Sequence, residues 1–357
     1  MAGLLRPAGQ PHADAGALSG GGRHPSGTGR ADGDPVGPAG GSGRAAGSPG
    51  GGAGFAASVP PGGYAWWYID ALSDDGRDGL TLIAFVGSVF SPYYALARRR
   101  GPADPVNHCA INVALYGRAR RWSMTERGRA GVEREPDHFQ VGPSGLWWEG
   151  DVLHIRIDEV AVPWPARIRG VVRVHPAARR DRPEPLDAAG RHRWTPIAPV
   201  ARVEVDLERP SLAWSGAGYL DANVGDEPLE AAFRRWHWSR AAMPDGTAIL
   251  YDVERRDGSR LSLAVRAAAD GRLTPIEPPP LATLPRTRWR IARATRSDAG
   301  ALVARTLEDT PFYARSLVDG AILGQAVRAV HETLDLDRFR SPVVQMMLPF
   351  RMPRRRR

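Results

Sequence analysis

The stretch that decides the fold runs over residues 233–265, FRRWHWSRAAMPDGTAILYDVERRDGSRLSLAV. Three apolar or aromatic runs, Phe233–Ser239, Thr247–Arg255 and Arg260–Val265, are separated by Pro244-Asp245-Gly246 and by Arg256-Asp257-Gly258-Ser259. Asp-Gly supplies the left-handed backbone that a tight hairpin turn demands. Two such turns in succession predict an up-and-down antiparallel meander.

Working outward, the same pattern of short runs closed by Gly, Pro, Asp or Asn begins at Gly62. Tyr64–Ala71 ends at the turn Ser73-Asp74-Asp75-Gly76, and Leu80–Phe90 is its pairing strand. Further strands are expected at Cys109–Tyr116, Trp147–Trp148, Val152–Ile157, Arg167–His175 and Arg202–Leu207, and later at Trp289–Ala294 and Leu302–Arg305. Only Val318–Leu334 reads as a helix, with a modest apolar period and no strong cap. The expectation is a mostly β protein of two barrel-like or open-sheet units, residues 61–205 and 206–349, with a short C-terminal helix and a basic tail over 350–357.

At 357 residues and 42% hydrophobic content the chain can bury a sizeable core. Residues 1–60 stand apart: Gly, Pro, Ala and Ser dominate Ser19–Gly54, no aromatic residue occurs there, and a disordered arm is expected. No secretory signal is legible near Met1, and Leu80–Phe90 is about half of what a spanning helix requires. The one cysteine, Cys109, allows no internal disulfide or cysteine-rich metal site; it reads as a core residue and fits a reducing cytoplasm. The net charge of +9 is carried by arginine alone. It clusters at Arg338, Arg340, Arg351 and Arg354–Arg357, which reads either as a solvated tail or as a patch for anionic lipid, at about 1 kcal/mol per residue near a surface. No nucleic-acid-reading motif accompanies it, so no nucleic-acid partner is expected.

Two segments carry chemistry: His192-Arg193-Trp194, and Gly216-Ala217-Gly218-Tyr219-Leu220-Asp221-Ala222-Asn223. They offer one carboxylic acid, Asp221, with two aromatic residues, Tyr219 and Trp194, and the imidazole of His192. Protonating an unactivated alkene needs an acid whose pKa is raised in an apolar pocket, and electron-rich ring faces for the resulting cation. The plainer readings are a turn aspartate in a Gly-rich loop and a structural histidine. Eleven tryptophans read as core filling or as the wall of an extended apolar ligand. Histidine spacings that hold a metal, phosphate-cradling glycine loops and a G-x-S-x-G elbow are all missing, so neither a metal nor a cofactor is expected.

Longer motifs add a resemblance. The run from Gly62 to Gly76 (GGYAWWYIDALSDDG) and Ala84–Tyr94 (AFVGSVFSPYY) closely resemble the bacterial carotenoid 1,2-hydratases, or hydroxyneurosporene synthases. Asn107-His108-Cys109-Ala110, Met124-Thr125-Glu126-Arg127 and Glu332-Thr333-Leu334-Asp335-Leu336 continue it, from about Pro61 to Pro349, while the arm before Pro61 departs from it as a flexible leader or a mis-assigned start. The resemblance implies two consecutive lipocalin-like β-barrel domains, in a superfamily that includes cofactor-free Diels–Alderases. It also implies cofactor-independent addition of water across the terminal C1=C2 bond of an acyclic carotenoid such as neurosporene or lycopene.

Carried over by motif, the functional residues are His192 and Trp194 in H-x-W and Tyr219 and Asp221 in G-Y-x-D. Asp221 is expected to protonate C2, Trp194 and Tyr219 to face the cation at C1, and His192 to handle the water, with the division of protons between Asp221 and His192 open. Two other readings stay open: a non-enzymatic carrier of a long apolar ligand, and a cyclising enzyme of the same superfamily. Because the substrate resides in a bilayer, the expected location is cytoplasmic and peripheral to the inner photosynthetic membrane, attached by the arginine-rich end or an apolar barrel mouth.

Overall fold

The computed structural model describes residues 54–355. Strands β1 (Tyr64–Ser73) and β2 (Gly79–Val86) are followed by helix α1 (Pro92–Arg100), then β3 (Cys109–Tyr116), β4 (Arg121–Arg127), β5 (Val132–Arg134), β6 (His138–Val141), β7 (Ser144–Glu149), β8 (Val152–Val160), β9 (Arg167–Pro176) and β10 (Glu184–Pro185). The first sheet continues with the two longest strands, β11 (His192–Arg209) and β12 (Leu212–Gly225). Its order is β4-β3-β2-β1-β12-β11-β9-β8-β7-β6-β5, all antiparallel, with β10 on β11.

After the short helix α2 (Leu229–Ala232) come β13 (Phe233–Met243), β14 (Gly246–Arg255), β15 (Arg260–Ala267), β16 (Leu273–Pro275), β17 (Leu281–Leu284), β18 (Arg293–Arg296), β19 (Leu302–Asp309), β20 (Tyr313–Ile322) and β21 (Gln325–Asp335). The second sheet has the order β16-β15-β14-β13-β21-β20-β19, and β17 pairs with β18 apart from it. Helices α3 (Leu336–Phe339) and α4 (Pro342–Met347) follow, and β22 (Arg354–Arg355) returns to lie parallel to β4 in the first sheet. The mostly β, lipocalin-like architecture and the short C-terminal helix are as expected. The Asp-Gly turns at Asp245 and Asp257 both close hairpins.

Alternation along β1 gives the first sheet two buried faces. Ala65, Trp67, Ile69 and Ala71 point into an apolar core that the curled sheet closes upon itself, with Leu82, Ile111, Phe139, Leu146 and Leu153. Tyr64 and Tyr68 point the other way, into a layer shared with Trp194 and Tyr219 of the same sheet and Phe233, Trp236, Trp238 and Tyr251 of the second. The site lies in that layer.

Six expectations need correction. The boundary at 205/206 falls inside β11, and β12 beyond it pairs with β1, so the chain leaves the first sheet only after Gly225. The Gly-rich stretch at 216–223 is not a loop but the middle of β12. Glycines serve there because a Cβ at Gly216 would collide with the Leu72 carbonyl, and one at Gly218 with Val203.

Val318–Leu334 is not a helix; it is the hairpin β20–β21, turning on Leu323 and Gly324, both at positive φ (53° and 71°). A leucine rarely takes that conformation, so the turn carries no sequence signal. The helix instead follows it, as α3 and α4. Trp289 and Arg290 lie in a turn, and the strand there spans Arg293–Arg296.

The arm expected at 1–60 lies outside the described residues except for its last seven, and these are structured. Phe55 is fully buried, in contact with Trp67 at 5.0 Å between ring centroids. In the basic tail, Arg354 pairs with Glu126 and Arg351 lies over the Trp122 ring at 4.3 Å, so neither is a free surface charge.

Candidate active site

Asp221 sits on β12, directly across from Tyr68 on β1, two residues from Tyr219 on the same face. Trp194 comes from β11, opposite Asn223. Trp194 Nε1 donates to Asp221 Oδ2 at 2.8 Å, and Tyr219 Oη donates to the same oxygen at 2.7 Å. Oδ1 is buried with no hydrogen-bond partner. Rings close the surroundings: Trp238 lies 5.2 Å from both Tyr219 and Tyr68, and Tyr251 5.0 Å from Trp194.

Burial lifts the Asp221 carboxyl to about 7, against the opposing pull of the Tyr219 hydroxyl and the Trp194 indole. Tyr219 moves well above its ordinary value, first by burial and then by the neighbouring Asp221 charge, so it stays a phenol and a donor. Since both donors occupy Oδ2, a proton on this acid belongs on Oδ1, the oxygen free to give it away.

Three of the four expected residues are thus brought together, while His192 sits apart at the next outward pair along the strands, opposite Gly225. Its Nδ1 lies 2.9 Å from Tyr64 Oη and its Nε2 3.4 Å from Glu227 Oε1. Burial lowers its pKa, opposed in part by Glu227, which favours a neutral ring.

Beside this cluster an apolar cavity of about 260 Å³ is walled by Trp66, Tyr68, Ile83, Phe85 and Phe90 from the first sheet and the segment after β2, and by Trp236, Phe312, Tyr313 and Leu334 from the second. Its polar wall groups include Thr81, Asn112, Glu308 and Glu332. None of the four expected residues lines it. Tyr68, the cross-strand neighbour of Asp221, is the wall residue between them.

The residues that sequence reasoning missed are those behind this wall. Tyr68 Oη donates to Glu332 Oε1 at 2.8 Å and accepts from Arg315 Nη1 at 2.6 Å. Arg315 is fully buried, pairs with both Asp70 and Glu332, and Asp70 pairs also with Arg240. Burial disfavours the Arg315 charge, but Asp70 and its other neighbours outweigh that and hold its pKa well above the ordinary range. Asp70 and Glu332 stand within motifs quoted above. Reading 318–334 as a helix hid the link, because Arg315 and Glu332 meet only as cross-strand partners in β20–β21.

This is a lipocalin-like fold that buries an acid of raised pKa behind the wall of an apolar cavity. The family model for the carotenoid hydratase CrtC matches residues 82–357. The acyclic carotenoid 1,2-hydratase of Thiocapsa roseopersicina is 56% identical over 358 residues, covering 99% of this chain and 87% of that protein. That of Rubrivivax gelatinosus is 56% identical over 310 residues, covering 84% and 76%.

The chain belongs to the carotenoid hydratase family, and it is a hydro-lyase. The Thiocapsa alignment also takes in the arm before Pro61, which therefore does not set this chain apart from all its relatives. Among solved structures, an AttH protein of Nitrosomonas europaea matches 76% of this chain and 91% of its own, at 16% identity and a TM-score of 0.51, which speaks for the fold alone.

Proposed function

We propose that this chain adds water across the terminal C1=C2 bond of an acyclic carotenoid such as lycopene or neurosporene, with Asp221 as the acid and no cofactor. The observation that carries this reading is the Asp221 carboxyl: buried, lifted to about 7, with one oxygen unpaired, and set across the strand pair from Tyr68, a wall residue of the apolar cavity. At about 260 Å³ the cavity is smaller than the roughly 300–1,000 Å³ of a drug-sized site, so it suits one end of a long polyene. That is the end where the reaction occurs.

Asp221 Oδ1 gives its proton to C2, and the positive charge develops at the more substituted C1. For Oδ1 to reach the alkene, the Tyr68 ring must yield to the entering chain end. Ring faces of Tyr68, Trp238 and Trp66 are then the electron-rich surroundings of the cation, each contributing about 0.5–2 kcal/mol when dry. Trp194 and Tyr219 act edge-on, as donors that hold the acid. Water adds at C1 and sheds its proton to Glu332, a carboxylate on the cavity wall paired with Arg315. One carboxyl gives a proton and the other takes one. His192 positions Tyr64 and the end of β11. The reaction involves no redox change, so acid and base side chains suffice for it. Its substrate dissolves in bilayers, and in this reading the enzyme works peripherally at the cytoplasmic face of a photosynthetic inner membrane.

The test is turnover of lycopene, followed as a product heavier by one water. Asp221→Asn is expected to lose about 10²–10⁴ of the rate, and Glu332→Gln more than His192→Gln. Near-normal turnover in Asp221→Asn overturns the assignment of the acid, and tight lycopene binding by the native protein without product overturns the reaction itself.

A further inference from the structure

Exposed large apolar side chains concentrate at one place on the described surface. Val343, Met346, Met347 and Phe350 fall within eight residues on α4 and the turn after it, with Met346 67% and Phe350 82% exposed. Met347 also lines the apolar cavity, next to the buried Val344 and Leu348 of the same segment. Trp289, likewise exposed, lines the cavity as well. Arg338 Nη1 donates to the Trp289 carbonyl at 2.5 Å, which fastens that turn to the C-terminal helices. Residues that are both exposed and cavity-lining mark an opening, so the mouth lies between Trp289 and α4.

Trp289 borders a second hollow, lined by Arg120, Arg286 and Arg288 together with Arg293, Glu308 and Asp309. Arg293 is committed to the Pro285 carbonyl and to Thr306 and Ser316, and an Asp309 oxygen accepts the backbone amides of Arg288 and Trp289. Arg120, Arg286 and Arg288 are exposed and have no ion-pair partner among the described residues. Arginines, an interfacial tryptophan and projecting apolar side chains around one mouth are the combination that seats a protein on an anionic bilayer. A protein partner on the same face would stopper the cavity; a lipid surface feeds it.

We infer that this face docks on an anionic phospholipid bilayer. Phe350, Met346, Val343 and Trp289 enter the acyl boundary, Arg120, Arg286 and Arg288 take lipid phosphates, and the mouth between them receives a chain end directly from the membrane. The docking rests on the surface alone; the identity of the transferred chain rests on the proposed hydration.

Flotation of the full-length protein with phosphatidylcholine vesicles, with and without phosphatidylglycerol, tests it. The expected result is binding that requires phosphatidylglycerol and weakens with salt. Met346→Ser with Phe350→Ser, and separately Arg286→Glu with Arg288→Glu, are expected to weaken it about tenfold or more. None of these four residues contributes to the Asp221 cluster or the Glu332 network, so turnover on detergent-dispersed lycopene should persist while turnover from vesicles falls.

Native protein that fails to float with anionic vesicles overturns the inference, as do variants that float like the native chain. Inorganic phosphate bound at the arginine hollow without vesicle binding overturns it in favour of a free-anion site. If the native protein turns over no lycopene in detergent, the hydration reading fails and the flotation result still judges the face.

Discussion

Strand β1 has two faces one residue out of phase, and they do different work. Ala65, Trp67, Ile69 and Ala71 enter a dry core built from one sheet curled on itself. Tyr64, Tyr68 and Asp70 enter the layer between the sheets, where Asp221, Glu332, Arg315, Arg240 and His192 are also found. Burying apolar surface on the first face stabilises the fold at about 25 cal/mol per Å². Burying carboxyls and guanidinium groups on the second costs stability unless each is paired. Asp221 has no cationic partner among the described residues and keeps one oxygen unpaired, and burial is what turns its carboxylate into an acid near neutral pH.

Substitutions on the two faces should therefore separate stability from chemistry. The largest effect on stability is expected from Trp67→Ala in the dry core, about 3–5 kcal/mol by denaturant unfolding, with turnover per folded molecule unchanged within a few-fold. A loss of turnover in the folded fraction would mean that the faces are coupled.

Asp221→Asn should act in the opposite sense. The folded acid titrates at about 7, above its ordinary 3.8, so the fold prefers the protonated form. The group's favourable contribution is complete below about pH 4 and is lost as pH rises to about 7. Above pH 8 the native protein carries a buried charge costing on the order of 4 kcal/mol, which asparagine does not. Thermal unfolding at pH 8 should show the variant more stable than the native chain, by much less at pH 5, while turnover falls by about 10²–10⁴.

The smallest change comes from Trp194→Phe, which removes one of two donors that hold the Asp221 pKa down. The alkaline limb of the turnover–pH profile should then move to higher pH. An unmoved limb would assign Trp194 to packing rather than to tuning the acid.

Much of this was legible in the chain, where local chemistry enforces structure. Asp245-Gly246 and Asp257-Gly258 demanded hairpins and formed them, and Cys109–Tyr116 is a strand with the expected bounds. The hairpin at Leu323-Gly324 and the central strand through Gly216 and Gly218 were illegible. In the first, a residue without left-handed preference makes the turn. In the second, glycines that read as loop residues are needed because neighbouring strands leave no room for a Cβ.

By itself the sequence determined the β class, and its motifs named Trp194, Tyr219, Asp221 and the family. Strand periodicity, turn chemistry and motif spacing are local or linear properties. Only the tertiary structure decided that Trp194 and Tyr219 share one oxygen of Asp221, that His192 stands apart, and that Glu332, Arg315 and Tyr68 join at the cavity wall. Those relations depend on cross-strand register between residues as far apart as Tyr68 and Glu332, and on burial, which a chain acquires only when its two sheets close on one another.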